Sequence, residues 1–71
     1  MWYNIEDNNQ TGNYVSGLDG SGQPTFTTDI EQAAWAPKTQ PVDRYITQNN
    51  LQNVSIKTQG GNHPGQKPPI S

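Results

Sequence analysis

The stretch LDGSGQPTFTTDIEQAAW, residues 18–35, decides the fold of this chain because it contains a turn, a short strand and a helix start in succession. Its residues 19–22, DGSG, combine glycines that accept positive φ with an aspartate that can bind its own backbone, as in a β-hairpin turn. Pro24 has no N–H, so the strand at residues 25–27 begins there or lies at a sheet edge. These features predict a hairpin that ends in an edge strand.

A short helix is predicted directly after this strand. Thr28 precedes Glu31 by three residues, the capping-box spacing in which side chains satisfy the first free N–H groups of a helix. Asp29 and Glu31 also place negative charge at the positive end of the helix dipole. The sequence therefore predicts a helix that begins at Asp29. It must be short, because Pro37 disfavours a helical conformation for the residue before it.

Two further strands are predicted on the N-terminal side of the turn. Residues 2–5, WYNI, are aromatic and β-branched enough for a strand, and the polar residues 7–12 end it. Residues 14–18, YVSGL, form the second strand, with Tyr14 and Leu18 expected on the same face. Three antiparallel strands follow from this pattern.

A main helix and a last strand are predicted in the second half of the chain. Pro41 suits the first turn of a helix, which would continue to residue 50. Val42, Tyr45 and Ile46 lie at positions i, i+3 and i+4 and give this helix one apolar stripe. Residues 51–58 then form a strand with one buried side.

The sequence as a whole predicts one α+β domain at residues 1–58. Its fold is a small antiparallel sheet of three to four strands with one main helix packed on one face, plus the short helix. Only 28% of the 71 residues are apolar, so the core is thin and binding to a partner would stabilise it. The predicted core consists of Trp2 or Ile5 together with Tyr14, Leu18, Phe26, Ile30, Trp35, Val42, Tyr45, Ile46, Val54 and Ile56.

Residues 59–71, QGGNHPGQKPPIS, are predicted to be a disordered tail. They contain three glycines, three prolines and one isolated apolar residue, Ile70, so ordering them would recover little buried surface. Deleting residues 60–71 is therefore predicted to leave the domain intact. As an alternative, residues 67–69, KPP, resemble polyproline and could dock in an aromatic groove, although the spacing P-x-x-P is missing.

No catalytic site is predicted. His63, the only histidine, lies in the tail, where no neighbouring residue would orient it beside a nucleophile. Asp29 and Glu31 are two residues apart on the predicted helix, so they point in different directions, and capping explains both. We predict that the chain is not an enzyme.

No cofactor-binding or metal site is predicted either. Residues 19–29 superficially resemble a calcium loop, but Pro24 occupies the position of the required glycine, and Ile30 that of the closing glutamate. Gly20 and Gly22 precede a strand rather than a helix, so they do not form a phosphate loop. The chain has no cysteine, which excludes disulfides and cysteine-based zinc sites.

Composition also bears on localisation. The first residues lack the basic segment and apolar run of a signal peptide, and no apolar run approaches the length of a membrane span. We therefore expect a soluble cytoplasmic protein without a membrane partner. If a phage encodes the chain, this is the cytoplasm of the host cell.

The segments YVSGLDGSGQPTFTTDIEQAAW, residues 14–35, and VDRYITQNNLQNVSIK, residues 42–57, resemble small uncharacterised α+β proteins encoded by phages and prophages of Gram-positive bacteria. The shared pattern is a hairpin, an alanine-containing short helix, an aromatic residue, a helix with an apolar stripe and a strand. Pro37 and Pro41 depart from it. The resemblance implies an α+β fold and a phage-linked context, and it carries over no catalytic residue.

Two functions remain open at the level of sequence. The first is a non-catalytic accessory protein that binds another protein, as a monomer or weak homodimer. The alternative is a small DNA-binding regulator in which residues 28–46 form a helix-turn-helix and Lys38, Arg44 and Lys57 meet phosphates. Nucleic acid is the less favoured partner, because Trp35 occupies the position of a small turn residue and basic residues are few.

Overall fold

The structure, a computed structural model, describes residues 1–70 and shows an antiparallel sheet with one α-helix. The α+β class is confirmed, whereas the predicted three to four strands are corrected to five. In chain order the elements are β1 (Trp2–Asp7), β2 (Tyr14–Leu18), β3 (Pro24–Thr27), a single-turn 3-10 helix (Ile30–Gln32), β4 (Trp35–Ala36), α1 (Thr39–Gln48) and β5 (Val54–Gln59).

Strand β1 lies in the middle of the sheet. On one side it pairs with β5 along its whole length, from Trp2 opposite Gln59 to Asp7 opposite Val54. On its other side it pairs with β4 near its start and with β2 near its end. Strand β3 pairs with β2, so β3, β4 and β5 each have another strand on only one side. The fifth strand is β4, whose extended backbone suits a residue that precedes Pro37.

Helix α1 packs on one face of the sheet. Its predicted apolar stripe is confirmed, since Val42 is fully buried and Tyr45 and Ile46 pack against the core as partly buried residues. The helix begins at Thr39, two residues earlier than predicted, with Pro41 in its first turn. It ends at Gln48, where the Asn49 side chain donates a hydrogen bond of 2.9 Å to the carbonyl of Tyr45.

The core under α1 is built from smaller residues than the sequence suggested. Five buried residues form it: Ile5, Val15, Ala36, Val42 and Leu51. Trp2 and Ile5 are both buried, but consecutive strand residues alternate, so these two lie on opposite faces of β1.

Two predicted core residues lie at the surface. Leu18 is 37% exposed and Phe26 is 41% exposed, so their assignment to the core was wrong. Helix α1 packs mainly on β1, β4 and β5, so it leaves this end of the β2–β3 pair uncovered. A β-bulge between Val15 and Gly17 also changes the face on which Leu18 lies. The extra residue shifts the alternation, which places Leu18 on the face opposite Tyr14 instead of on the same face.

The predicted short helix at Asp29 is a single 3-10 turn, Ile30–Gln32. Its cap is Asp29 rather than Thr28, because Asp29 Oδ1 accepts the N–H of Glu31 at 3.0 Å. The chain then returns to an extended conformation at Ala33. The N–H of Ala34 donates to the carbonyl of Val15 at 2.8 Å, so pairing with β2 replaces further helical turns.

The tail departs most from expectation. Gln59 is the last residue of β5 instead of the first residue of a tail. Residues 60–70, called the tail below, have no regular secondary structure, yet they contact the domain from His63 to Ile70 instead of being disordered. Deleting them would remove these contacts, contrary to the prediction that deletion leaves the domain unchanged. Ser71 lies outside the described residues.

The predicted turn between β2 and β3 is present, and Asp19 holds it together. Asp19 Oδ1 accepts the hydroxyl of Ser21 at 2.7 Å and the backbone N–H groups of Ser21 at 2.8 Å and Gln23 at 3.0 Å. These hydrogen bonds, that from the Ser21 hydroxyl first, hold the pKa of Asp19 below its ordinary value.

We therefore expect the β2–β3 turn to loosen in acid. Because the pKa of Asp19 is lowered by folding, its stabilising effect is complete above the ordinary aspartate pKa of about 3.9 and is lost as the pH falls through the lower, folded-state pKa. The amide signals of Ser21 and Gln23 in an NMR titration should report this loss. In Asp19→Asn the same signals should lack the step, and a step that persists in this variant would assign the titration to another group.

Candidate binding sites

The sheet face opposite α1 carries two tryptophans. Trp2 is 3% exposed and Asn4 is fully buried on this face. Trp35 lies directly opposite Asn4 in the β1–β4 pair, so its side chain shares the face. The two indole rings are nearly perpendicular, at 84°, with centroids 6.1 Å apart. We call this arrangement of Trp2 and Trp35 the aromatic corner.

His63 from the tail fills the aromatic corner. Its ring stacks on Trp35 at 4.3 Å with an angle of 6°, and it meets Trp2 edge-on at 4.6 Å. The backbone N–H of Gly65 donates to His63 Nδ1 at 3.2 Å. The sequence predicted that nothing would orient this histidine, and two rings and one hydrogen bond do so. The three rings line a cleft of about 320 Å³.

Buried donors on this face remain without partners. Trp2 Nε1, Asn4 Nδ2 and His63 Nε2 have no hydrogen-bond partner among residues 1–70. An unsatisfied buried donor costs roughly 1 to 3 kcal/mol. Packing between the rings offsets part of this cost, since an aromatic pair contributes about 0.5 to 1.5 kcal/mol beyond its burial. The packing of the His63 ring against Trp2 and Trp35 therefore stabilises this face, whereas the unpaired donors destabilise it.

Lys67 anchors the tail beside the aromatic corner. Its Nζ donates to the carbonyl oxygens of Ser16 at 2.6 Å and Gln32 at 2.8 Å. The indole Nε1 of Trp35 donates to the carbonyl of Lys67 at 2.7 Å. Both the charged end and the backbone of Lys67 are thus held by groups of β2, the 3-10 turn and β4.

Gly65 and Ile70 complete the contact. A Cβ atom at Gly65 would lie 2.9 Å from the carbonyl oxygen of Glu31, closer than real Cβ atoms approach, so only glycine fits without a shift. Ile70 donates its N–H to the carbonyl of Trp35 at 2.7 Å and packs against the core from the sheet edge. The surface that receives residues 63–70 is called the tail groove below.

A different surface lies on the helix side of the sheet at the outer strand. Phe26 is opposite Val15, and Pro24 is opposite Leu18, so Leu18, Pro24 and Phe26 share the face of the buried Val15. Unlike Val15, Leu18 and Phe26 are exposed. We call these three residues the edge patch. It is a contiguous apolar surface beside an unpaired strand edge.

Most of the carboxylates have structural roles. Glu6, Asp7, Asp19 and Asp29 each accept a hydrogen bond from a backbone N–H in or beside a turn. Within residues 1–70, no group of three or more His, Asp or Glu residues is placed to hold a metal ion. Asp29 and Glu31, which the sequence identified as the carboxylate pair, lie at the 3-10 turn, where Asp29 caps the N–H of Glu31.

The helix-turn-helix arrangement of residues 28–46 was wrong. This segment contains a 3-10 turn, the strand β4 and the first part of α1, so only one α-helix is present where the motif needs two. Lys57 lies opposite Asn4, on the face away from α1, whereas Arg44 is exposed on α1 itself. These two basic residues are therefore on opposite sides of the sheet.

The part of the chain that the structure describes has no helix with the length and apolarity needed to cross a membrane. Comparison with protein-family models, with curated proteins and with solved structures finds no match.

One feature of the sequence, in the tail itself, did indicate the tail groove. Residues 67–69, KPP, were noted as a segment that could dock in an aromatic groove, and here Lys67 lies beside one. The edge patch had no such signal, because apolar strand residues are normally assigned to the core.

Proposed function

We propose that this chain is a non-catalytic accessory protein that binds another protein through the edge patch and the open edge of β3. The observation that carries this proposal is the exposure of Leu18 and Phe26 on an outer strand. In so small a domain, large apolar side chains are needed in the core, and leaving about two-fifths of these two in water forgoes stabilisation of roughly 0.5 to 1 kcal/mol for each.

The geometry favours an extended partner segment. Strand β3 pairs only with β2, so its other side is free to hydrogen-bond with an added strand, and the edge patch can receive an apolar side chain from that strand. The opposite edge, β5, carries the exposed Lys57, and lysine on an outer strand discourages such pairing. The two strands therefore differ in charge. Pro24 offers β3 no N–H, but β3 has no charged residue and keeps the outward N–H of Phe26, so it is the strand suited to binding.

A non-catalytic role is supported by the use of the polar groups. The four carboxylates that accept backbone N–H groups are fixed in turns, and the His63 ring packs between two tryptophans. A phage or prophage origin is part of the proposal and rests on the sequence resemblance alone. DNA binding is not favoured, because Arg44 and Lys57 lie on opposite sides of the sheet and Lys67 is held by carbonyl groups.

Phe26→Asp tests this proposal. It places a charge in the edge patch, and because Phe26 is 41% exposed and lies outside the core cluster the domain should still fold. We expect recovery of a partner from host lysate to fall at least about tenfold, which corresponds to 1.4 kcal/mol of binding free energy. Gln40→Asp, which adds the same charge at an exposed position in the first turn of α1, should bind like the parent.

The captured partner must also protect β3. In its complex, hydrogen exchange at the amide of Phe26 should slow. Val15 directs its carbonyl to Ala34, away from β3, so the N–H of Phe26 opposite it faces the open edge that the added strand covers. Equal recovery by Phe26→Asp and the parent, or unchanged exchange in β3, would contradict the proposal. Tight, salt-sensitive binding to mixed duplex DNA that Arg44→Ala abolishes would establish the DNA-binding alternative instead.

A further inference from the structure

The tail contacts the domain through alternate residues. His63, Gly65 and Lys67 are partly buried, whereas Pro64, Gln66 and Pro68 between and after them are exposed. An extended segment presents every second residue to the same side. Positions 63, 65 and 67 of the tail face the domain in the same way, although the backbone bends at Gly65.

Each inward position meets a chemically distinct part of the tail groove. The ring of His63 stacks on Trp35, and the backbone at Gly65 lies so close to Glu31 that a side chain would not fit. The ammonium group of Lys67 is shared between two carbonyl oxygens, which a cationic donor binds more strongly than a neutral one. These contacts select an aromatic ring, a glycine and a lysine at alternate positions.

The indole of Trp35 adds a feature that is typical of proline recognition. Its N–H donates to the carbonyl of Lys67, the residue directly before Pro68. Proline-rich segments dock in aromatic-lined grooves because their backbone is already extended, so little conformational entropy is lost on binding. Two prolines follow Lys67, at 68 and 69, and they hold the backbone in this form.

We propose that the tail groove is a recognition site for a His-x-Gly-x-Lys-Pro segment of another protein, and that the tail is a tethered mimic which occupies the site until that partner replaces it. The partner's segment would place its lysine between the carbonyls of Ser16 and Gln32 and its histidine in the aromatic corner. This site lies on the opposite face of the sheet from the edge patch and does not depend on it.

The link between the domain and the tail suits replacement. Gly60 and Gly61 separate β5 from the docked residues, and a side chain at Gly60 would meet nothing within 4 Å. A short flexible linker gives a tethered segment an effective concentration on the order of millimolar. A free segment with the same contacts should therefore displace the tail at millimolar concentration, and one with better contacts should do so at lower concentration.

Gly65→Ala tests the proposal in the full chain. The added Cβ would clash with the carbonyl oxygen of Glu31 and release the tail, whereas Gly60→Ala adds the same atom in open space. The probe is a fluorescent peptide with the sequence of residues 61–70, GNHPGQKPPI. We expect Gly65→Ala to bind this peptide at least about tenfold more tightly than the parent or Gly60→Ala does, because its groove is vacant for a larger fraction of the time.

Specificity is measured with a second peptide in which methionine replaces the lysine. Its affinity for Gly65→Ala should be at least about tenfold lower, because methionine cannot donate to the two carbonyls. Equal binding of both peptides, or no binding of the first at several millimolar, would overturn the proposal. So would a stable dimer of the parent at micromolar concentration in which two copies exchange tails, because the groove would then belong to the second copy.

A measurement on the unaltered chain covers the case in which Gly65→Ala does not fold. Unlabelled peptide is added to the isotope-labelled parent up to several times the millimolar effective concentration. The amide signal of Ile70 should move to its position in free peptide, while the indole signal of Trp35 stays at its bound position because the added peptide replaces the tail. An Ile70 signal that does not move at this excess would overturn the proposal as well.

Discussion

Ile5→Ala is expected to lower the free energy of unfolding by about 2 to 5 kcal/mol and to leave little folded protein at 37 °C. Ile5 is fully buried in the central strand and belongs to the core cluster that α1 covers. Removing three of its carbons loses transfer free energy and leaves a cavity that the short strands on either side cannot close. Urea denaturation followed by circular dichroism measures the change.

Phe26→Ala is the matched control for this experiment, since it also truncates a large apolar residue in a strand. Because Phe26 is 41% exposed and lies outside the core cluster, the change should cost only about 1 to 2 kcal/mol. We therefore expect Ile5→Ala to lower the free energy of unfolding more than Phe26→Ala does. A larger loss from Phe26→Ala than from Ile5→Ala would show that β3, rather than β1, carries the core.

Trp35→Ala should have the second large effect, a loss of roughly 3 kcal/mol in the free energy of unfolding. The ring of Trp35 contacts both Trp2 and His63, and its indole N–H holds the carbonyl of Lys67. Removing it therefore opens the aromatic corner and frees the tail in one step. The tail amides should lose protection against hydrogen exchange, and Trp2 fluorescence should shift toward that of an exposed indole.

Trp35→Phe separates packing from hydrogen bonding in this cluster. It keeps an aromatic ring next to His63 but removes the N–H that donates to Lys67. The expected cost is about 1 kcal/mol, the net value of one hydrogen bond, with the tail only partly released. If Trp35→Phe and Trp35→Ala were equally destabilising, the hydrogen bond rather than the ring would be the main contact.

Elements with strong local signals were predictable from the sequence. The hairpin turn follows from DGSG, residues 19–22, and the apolar stripe of α1 follows from the spacing of Val42, Tyr45 and Ile46. In both cases the stabilising contacts are close in sequence, so propensity and spacing describe them well.

Features that depend on distant contacts were not predictable in this way. The segment after Asp29 has a helix-like beginning, but Ala34 pairs with Val15 and the chain becomes extended. The bulge in β2 reverses the side on which Leu18 lies, and Gly17 marks an irregularity there without fixing its register. Tertiary pairing outweighs helix propensity here, because propensity differences amount to less than about 1 kcal/mol per residue.

The tail was mispredicted because composition describes a segment in isolation. Residues 60–70 have almost no apolar surface of their own to bury, which favours disorder in a free peptide. In this chain they are attached to a domain that already presents two tryptophans and two free carbonyls at the right positions. The ordering cost is offset by contacts that only the folded sheet supplies, so composition alone could not reveal the tail groove or the edge patch.

The docking of His63 on Trp35 decides which apolar surface is exposed. It covers one face of the sheet with the tail, so the edge patch on the other face remains exposed. The most direct measurement is the nuclear Overhauser effect between the His63 ring protons and the indole protons of Trp35 and Trp2. Ring centroids at 4.3 Å and 4.6 Å predict cross-peaks to both indoles and a His63 signal shifted by ring currents. Random-coil shifts for residues 60–70 and no cross-peak to either tryptophan would contradict it.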